Sequence, residues 1–192
     1  MAPPAPRLVL ASRSPQRRAI LETLGVPFEL RPVDACEEAE GVPVAVAGEN
    51  ALRKALAGNA GRDEVVLGVD TLVAIGHDIW GKPPDEAAAR ETLRHLAGRT
   101  HDVVSGVALV DEHGSVRAAT AVTKVTFRPL DDATIVWYLA SGEWQGRAGG
   151  YAIQGRGGAL VERIEGDYLN VVGLPVATLL GLWPDLLAVT AA

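Results

Sequence analysis

The spacing of apolar residues along the chain predicts alternating strands and helices. Apolar runs bounded by turn residues predict strands over residues 8–10, 28–33, 65–69, 72–75 and 79–80. Apolar residues at helical spacing predict helices over residues 15–24, 44–59, 85–97 and 131–140. Two longer strands, 101–110 and 115–127, flank the turn at 112–114 and predict a hairpin. This order predicts an α/β fold with an elongated, mixed central sheet flanked by helices.

The two ends of the chain are predicted to add no further domain. Met1 to Pro6 lacks the charged region and the apolar core of a signal peptide, so we expect a disordered tail over residues 1–6. Glycine and proline interrupt the apolar run 171–192, which favours a packed terminal helix and no membrane span. We interpret residues 1–192 as a single domain.

Composition narrows the class of protein. The 192 residues are 48% hydrophobic and 22% charged, which is typical of a folded globular chain. The net charge of −6 argues against direct binding of nucleic acid or of an anionic membrane, because proteins that do so are normally basic. A single cysteine, Cys36, permits no internal disulfide and indicates a reducing, cytoplasmic location.

A strand–turn–helix unit at the start of the chain gives the first chemical signal. The strand 8–10 leads into a polar turn, and Ser14-Pro15 is a typical helix start. The N-terminus of a helix presents unpaired N–H groups and the positive end of the helix dipole. Hydroxyls and cations surround this one: Ser12, Ser14, Arg13, Arg17 and Arg18. The unit predicts a phosphate-binding site that is not a P-loop, although solvated surface arginines would give the same pattern.

Charged residues further along the chain are candidates for the same site. A carboxylate in the acidic loop 34–40 could hold a metal that bridges to phosphate, or could simply be solvated. Asp70 is predicted to end a buried strand, where open α/β sheets bind ligands, and a turn-capping role is the alternative. Lys82 lies in a rigid Gly-Lys-Pro-Pro sequence, which favours a fixed position.

The segment 142–175 is dense in glycine. Glycine tolerates positive φ and close backbone approach, so the segment predicts a loop that wraps a ligand or turns tightly between short strands. Within it, the amide of Gln154 can both donate and accept, and could read a base edge or fix a turn.

These motifs together resemble the Maf family of nucleotide pyrophosphatases. In chain order, the resemblance is carried by Ala11-Ser12-Arg13-Ser14-Pro15-Gln16-Arg17, Glu38, Lys54-Ala55, Asp70-Thr71, Gly81-Lys82-Pro83, Ser105-Gly106-Val107, residues 147–155 and Gly173-Leu174-Pro175. It implies a fold shared with inosine triphosphate pyrophosphatases, in which two lobes enclose a cleft. It also implies a nucleoside triphosphate substrate and, commonly, a homodimer.

The resemblance implies roles for individual residues. The catalytic set is Asp70, as proton acceptor, with Glu38, Lys54 and Lys82. The phosphate-binding set is Ser12, Ser14, Arg17 and Arg13. A divalent cation, Mg²⁺ or Mn²⁺, would be held by Asp70 and Glu38. Substrate specificity would depend on Gln16, Thr71 and Gln154.

One branch of the family fits best. The Ile-Gln-Gly segment followed by Gly166-Asp167-Tyr168 resembles the branch that hydrolyses dTTP and UTP. Gln16 replaces the first arginine of the family's usual pair, and Arg13 or Arg18 could restore that charge. The alternatives are a 7-methyl-GTP-type pyrophosphatase, a house-cleaning enzyme for modified nucleotides, and a non-enzymatic regulator of septum formation that acts through a partner.

Overall fold

The computed structural model describes residues 6–191 (of 189–191, the backbone alone), and one mixed sheet of seven strands forms its centre. The strands are β1 Arg7–Leu10, β2 Phe28–Leu30, β3 Glu64–Ile75, β4 Asp78–Trp80, β5 Thr100–Asp111, β6 Val116–Phe127 and β7 Val161–Glu165. Their order is β2-β1-β3-β5-β6-β7, with β4 paired to β3. Strand β1 is parallel to β2 and β3, and all other pairs are antiparallel. The prediction of a mixed α/β fold is confirmed.

Helices flank the sheet. They are α1 Pro15–Thr23, α2 Pro43–Ala57, α3 Glu86–Leu96, α4 Asp132–Leu139, α5 Tyr168–Val172 and α6 Val176–Leu182. Side chains of Ser14, Asp85 and Asp131 accept hydrogen bonds from the first turns of α1, α3 and α4, which fixes where these helices begin. Among the described residues, no helix has the length and apolar content needed to cross a membrane.

Helix α2 lies directly on the sheet because glycines make room for it. A Cβ atom on Gly68 of β3 would overlap the carbonyl oxygen of Ala51, and one on Gly106 of β5 would overlap that of Ala47. Only glycine permits this close approach of two backbones. The approach brings the side chain of Lys54, one turn after Ala51, over β3.

The buried core forms clusters on the two sides of the sheet. One cluster packs α1 and α6 against the middle of β1, β3 and β5, with Leu10, Leu67 and Leu109 at its centre. Another, on the same face of the sheet, packs α3 and α4 around Phe127 and Tyr138. Helix α2 packs on the opposite face of the sheet. Both sides of the sheet are therefore covered, as the continuous apolar run of β3 predicts.

The structure corrects the predicted course of β3. The strand does not end at Asp70, because it continues to Ile75 as one element of 12 residues. The partner strand β1 ends first: Leu10 pairs with Leu67, and no residue of β1 lies beside Asp70. Because β1 is short, β3 has no β1 residue beside Asp70, although Asp70 itself is buried.

Three other predictions about elements need correction. The predicted strand 28–33 stops at Leu30, two residues before Pro32, which has no N–H to donate. Strand β7 was not predicted, because its glycine-rich surroundings indicated a loop. The terminal helix predicted for 171–192 is divided at Gly173, with φ of 128°, and at Pro184. Of the tail predicted over 1–6, residues 1–5 lie outside the described residues, and Pro6 is exposed.

Candidate active site

A polar cleft of about 480 Å³ opens beyond the end of β1. One wall is the turn from Ala11 to Arg17, which carries the start of α1. Lys54 of α2, Thr71 of β3 and Lys82 after β4 contribute to the lining. The other walls are the glycine-rich loop 145–154, the acidic loop that holds Glu37, and residues 171–173.

Arg17 is the most constrained cation of the cleft. It is buried, and its Nε donates to the carbonyl oxygen of Gly173 at 2.9 Å. Its terminal nitrogens donate to Ser12 Oγ and to Thr71 Oγ1, each at 3.1 Å. Burial lowers the pKa of Arg17, and two nearby carboxylates oppose that shift. Because arginine keeps its proton in proteins, a fixed positive charge lies beside the first turn of α1.

Lys54 is shared between two carboxylates. Its Nζ lies 2.6 Å from Oδ1 of Asp70 and 2.6 Å from Oε1 of Glu37. Asn50 precedes Lys54 by one turn on the same face of α2 and donates from Nδ2 to Asp70 Oδ2 at 3.2 Å. Both oxygens of the Asp70 carboxylate are therefore held, and only 11% of its side chain is exposed.

The two carboxylates have the chemistry of a divalent-cation site. Oxygens of Asp70 and Glu37 both lie within 2.6 Å of one ammonium nitrogen, so they face the same small volume. Mg²⁺ is commonly held by one or two carboxylates together with substrate phosphates, and this pair fits that pattern. The described residues include no group of three or more His, Cys, Asp or Glu side chains that could hold a metal by themselves.

The structure brings most of the predicted site residues together. Those that line the cleft are Ser12, Arg13, Ser14, Gln16, Arg17, Lys54, Thr71, Lys82 and Gln154. Asp70 lies behind Lys54 and is absent from the cleft wall. Access to Asp70 therefore depends on the position of the Lys54 side chain.

Glu38 is not brought into the cleft. Its carboxylate pairs with Arg53 at 2.8 Å, while its backbone N–H and C=O bond the side-chain amide of Asn50 at 2.7 and 2.9 Å. Glu38 thus orients Asn50 through its backbone, and the neighbouring Glu37 supplies the carboxylate at Lys54. The role expected for the Glu38 side chain stays a prediction, and the geometry favours Glu37.

The two arginines expected to restore the positive charge missing at Gln16 lie in different places. Arg18 pairs with Glu22 on the exposed side of α1 and does not line the cleft. Arg13 lines the cleft, but its guanidinium pairs with Asp34 at 2.7 Å. Gln16 itself accepts a hydrogen bond from Ser14 Oγ at 3.2 Å.

The loop 145–154 rests on a buried aromatic cluster. Nε2 of His101 lies 2.9 Å from the hydroxyl of Tyr151, and the rings of His101, Phe127 and Tyr151 pack edge to face. The hydroxyl of Tyr138 accepts from the backbone N–H of Ala152 at 3.0 Å. Burial lowers the pKa of His101 to about 4 and raises that of Tyr151. His101 is therefore neutral at neutral pH.

Sequence reasoning assigned no role to three residues that support the site, although Ser105 and Gly173 belong to motifs of the family resemblance. Asn50 precedes Lys54 by four residues, and that helical spacing was the available signal. Ser105 of β5 shares a hydrogen bond of 2.8 Å with Thr71, its cross-strand partner. The carbonyl of Gly173 accepts from Arg17, and the Gly-Leu-Pro motif alone does not reveal this role because any residue supplies a carbonyl.

The fold and the cleft define a class of protein. A mixed α/β sheet, a helix N-terminus with hydroxyls and cations, and a lysine-bridged carboxylate pair suit a protein that binds a polyphosphate. Comparison with known proteins gives the family: residues 7–185 match the model described as Maf-like protein. The chain belongs to the Maf family.

Relatives named dTTP/UTP pyrophosphatase are similar over most of the chain. The one from Moorella thermoacetica is 48% identical over 174 residues, covering 88% of this chain and 90% of the relative. The one from Deinococcus radiodurans is 44% identical over 180 residues, covering 93% and 92%. Among solved structures, a HAM1 protein from Coxiella burnetii is 19% identical, with a TM-score of 0.48 over 80% of this chain and 90% of that chain. The sequence relatives confirm the Maf resemblance.

The neutral, buried His101 predicts a pH-dependent stability. Its pKa of about 4 lies below the unfolded value of about 6.5, so unfolded chains bind more protons between these values. Stability is therefore expected to fall by about 3 kcal/mol as the pH drops through that window. Urea denaturation between pH 7 and 4.5 should show that the free energy of unfolding falls more in the wild type than in His101→Asn. His77→Asn, on an exposed turn, is the control, and parallel curves for wild type and His101→Asn would contradict the prediction.

Proposed function

We propose that this protein hydrolyses nucleoside triphosphates, above all dTTP and UTP, to the monophosphate and pyrophosphate. The observation that carries the proposal is a single cleft in which a helix N-terminus with cations lies beside the carboxylate pair bridged by Lys54. The names of the relatives, dTTP/UTP pyrophosphatase, support the choice of substrate.

The turn 12–17 binds the phosphates. Ser12 Oγ already accepts from Arg17 and from the N–H of Ser14, so its own hydroxyl proton is free to donate to a phosphate oxygen. The N–H groups at the start of α1 and the guanidinium of Arg17 add charge-assisted hydrogen bonds. Because Arg17 is fixed by three hydrogen bonds, this positive charge needs no rearrangement when the substrate arrives.

Asp70 accepts the proton of the attacking water. Water oxygen bonds to the α-phosphorus, the bond from that phosphorus to the bridging oxygen breaks, and pyrophosphate leaves with the bonding electrons. Lys54 must first leave Oδ1 of Asp70, and incoming phosphates compete for its ammonium group on a flexible four-carbon stem. Substrate binding thereby frees the base at the moment when it is needed.

Asp70 and Glu37 would hold a divalent cation, Mg²⁺ or Mn²⁺. When bound, such an ion neutralises phosphate charge and polarises the phosphoryl group. Asn50 keeps Oδ2 of Asp70 in place, so the carboxylate stays oriented when Lys54 moves. The metal role expected for Glu38 passes to Glu37 in this proposal.

Three residues are proposed to select the substrate. Gln154 is exposed in the cleft wall, where its amide can both donate to and accept from a base. The Thr71 hydroxyl is engaged with Ser105 and Arg17, so it shapes the pocket rather than reaching out to the ligand. Gln16 presents a neutral side chain at the start of α1.

A homodimer formed through β6 is part of the proposal. Within the described chain, β7 pairs with β6 only from Lys124 onward, which leaves the edge of 116–122 without a strand beside it. Val122 is 47% exposed there, and Thr120 on the same face lies under Gly48 of α2. A long, nearly uncharged edge is open to pairing with another strand, and two copies related by a twofold axis can pair there with antiparallel strands.

A cytoplasmic location is proposed as well, because the single exposed cysteine suits a reducing compartment.

Pyrophosphate release from a panel of nucleoside triphosphates tests the activity. We expect dTTP and UTP to have the highest kcat/KM with Mg²⁺ or Mn²⁺, and chelator to abolish turnover. The panel includes CTP, GTP, 7-methyl-GTP and 5-methyl pyrimidine forms. A preference for 7-methyl-GTP would overturn the choice of substrate, and a lack of turnover with every nucleotide and metal would overturn the enzymatic proposal.

Substitution of the three carboxylates separates their roles. Asp70→Asn should lower kcat by ~100-fold or more because it removes the proton acceptor. Glu37→Gln should raise the Mg²⁺ concentration needed for half-maximal activity, because a cation ligand is lost. Glu38→Gln is the matched control and should change kcat/KM by less than about twofold, since its ion pair with Arg53 is solvent-exposed. If Glu38→Gln has the larger effect, Glu38 and not Glu37 serves the cation. Thermal denaturation confirms folding of each variant.

Light scattering after gel filtration tests the dimer. A lysine in place of the exposed apolar Val122 would put a charge into the proposed strand-to-strand interface, where pairing would remove it from water, so Val122→Lys should yield monomers. Leu56→Lys is the control, because Leu56 is 53% exposed at the C-terminal end of α2, whereas Gly48, which lies over Thr120 of β6, is in the N-terminal half of that helix. A Val122→Lys protein that remains dimeric would place the interface elsewhere.

A further inference from the structure

A buried polar network joins helix α5 to the sheet. Thr123 of β6 and Asn170 of α5 are both fully buried. The Nδ2 atom of Asn170 donates to the hydroxyl oxygen of Thr123 and to the carbonyl oxygen of Val103 on β5, each at 3.0 Å. The same hydroxyl accepts from the backbone N–H of Asp167 at 3.1 Å and donates to the backbone carbonyl oxygen of Asp167 at 3.2 Å. Side-chain hydrogen bonds thus attach α5 to two neighbouring strands.

Helix α5 is too short to hold its position alone. It has only five residues, and helices shorter than about 12 residues are marginal in water without tertiary contacts. Gly166, just before the helix, lies so close to Thr123 that a Cβ atom there would be 2.9 Å from the hydroxyl oxygen. Gly166, Asp167 and Asn170 therefore all meet one side chain of β6. Loss of the Thr123 hydroxyl would remove three hydrogen bonds to this segment at once.

The other end of α5 carries the carbonyl group that Arg17 contacts. The backbone N–H groups of Gly173 and Leu174 donate to the carbonyl oxygen of Leu169 at 3.0 and 2.9 Å, and the chain turns at Gly173 with a φ of 128°. In this turn the carbonyl oxygen of Gly173 accepts from Nε of Arg17 at 2.9 Å. Because bonds to α5 itself close the turn, the position of this carbonyl follows the position of the helix.

We propose that Thr123 and Asn170 are positioning residues, which hold the guanidinium of Arg17 in its phosphate-binding orientation. They act through α5 and the carbonyl of Gly173. The inference rests on the proposed function, in which Arg17 binds phosphate. The Nε of arginine carries a single hydrogen, so the bond from Arg17 Nε to Gly173 sets the plane of the guanidinium. In that plane the terminal nitrogens reach their two hydroxyl acceptors.

The orientation of Arg17 affects both substrate binding and rate. A guanidinium that is fixed before the substrate arrives stabilises phosphate charge without a cost of reorganisation. If the carbonyl of Gly173 shifts, the Nε–H of a buried side chain loses its acceptor and the guanidinium gains other orientations. We therefore expect changes at Thr123 or Asn170 to lower kcat/KM, although neither residue lines the cleft.

Solvent exchange of the Arg17 Nε proton, measured by NMR, tests the inference without substrate. The side chain of Arg17 is buried and this proton is hydrogen-bonded, so it should exchange slowly in the wild type. Thr123→Val keeps the shape of the side chain without its hydroxyl and should speed the exchange ~10-fold, the equivalent of about one net hydrogen bond. Thr123→Ser should restore slow exchange. Thr126→Val is the matched control, because Thr126 lies on the same strand and its hydroxyl pairs with that of Thr100 at 2.9 Å.

A double-mutant cycle on UTP hydrolysis shows whether the effect on activity passes through Arg17. In the wild-type background, Thr123→Val should lower kcat/KM ~10-fold, because Arg17 loses its fixed orientation. In the Arg17→Lys background, it should lower kcat/KM by less than about twofold, because a lysine ammonium has no plane for Gly173 to orient. The melting temperature should fall in both backgrounds, since the hydrogen bonds lost from α5 are the same.

Three outcomes would overturn the inference. They are unchanged exchange at Arg17 in Thr123→Val, an equal acceleration in Thr126→Val, and an equal loss of kcat/KM in the two backgrounds. The last would mean that the network only stabilises the fold. If the wild type hydrolyses no nucleotide while Thr123→Val still speeds the exchange at Arg17, the positioning role stands and the proposed function is refuted. Asn170→Ala, measured in the same way, replaces Thr123→Val if that variant does not fold.

Discussion

The buried guanidinium of Arg17 is the interaction on which the rest of the site depends. It joins Ser12, Thr71 and Gly173, which come from the turn after β1, from the middle of β3 and from the end of α5. Two of these partners lie 54 and 156 residues away in sequence, so the contact forms only when the whole sheet is assembled. Because Arg17 lies in the first turn of α1, the same bonds fix the direction in which the N–H groups of that turn point. In the proposed function, a phosphate would therefore meet donors that are already oriented.

The ammonium group of Lys54, which is shared between Asp70 and Glu37, explains how two carboxylates coexist in this partly buried site. Carboxylates in a partly buried site repel each other and lose hydration unless a cation compensates them. Lys54 provides that compensation in the protein alone, with both oxygen contacts at 2.6 Å. In the proposed function, a divalent cation would occupy the same volume, so ammonium and metal would be alternative partners of Asp70 and Glu37. Movement of Lys54 toward phosphate and arrival of the metal would thereby be coupled.

Sequence reasoning predicts the features that depend on residues adjacent in the chain. It fails for features that depend on how distant strands pair. Ser14-Pro15 and the hydroxyls before it predict the start of α1, and α1 begins there. The expectation for Asp70 rested on a wrong end of the strand, because the shortness of β1 relative to β3 becomes visible only in their register, and the role of Asp70 stays a prediction. Glu37 and Glu38 lie in an irregular loop without periodicity, so no pattern indicates which carboxylate faces Lys54. Glu37 and Glu38 differ in their partners, which are Lys54 and Arg53, and not in their own chemistry.

The glycine-rich loop shows why a segment with few side chains can still form a wall of fixed shape. Its order comes from elsewhere: Tyr138 accepts from the backbone of Ala152, His101 contacts the Tyr151 hydroxyl, and Gly149 donates to Gly81. Each anchor uses backbone atoms or an inward side chain, so an outward side chain on the loop is free to differ without loss of the loop's position. Gln154 is such a residue, exposed in the cleft between anchored neighbours. In the proposed function, a change of base preference at Gln154 would therefore need a new side chain and no new backbone.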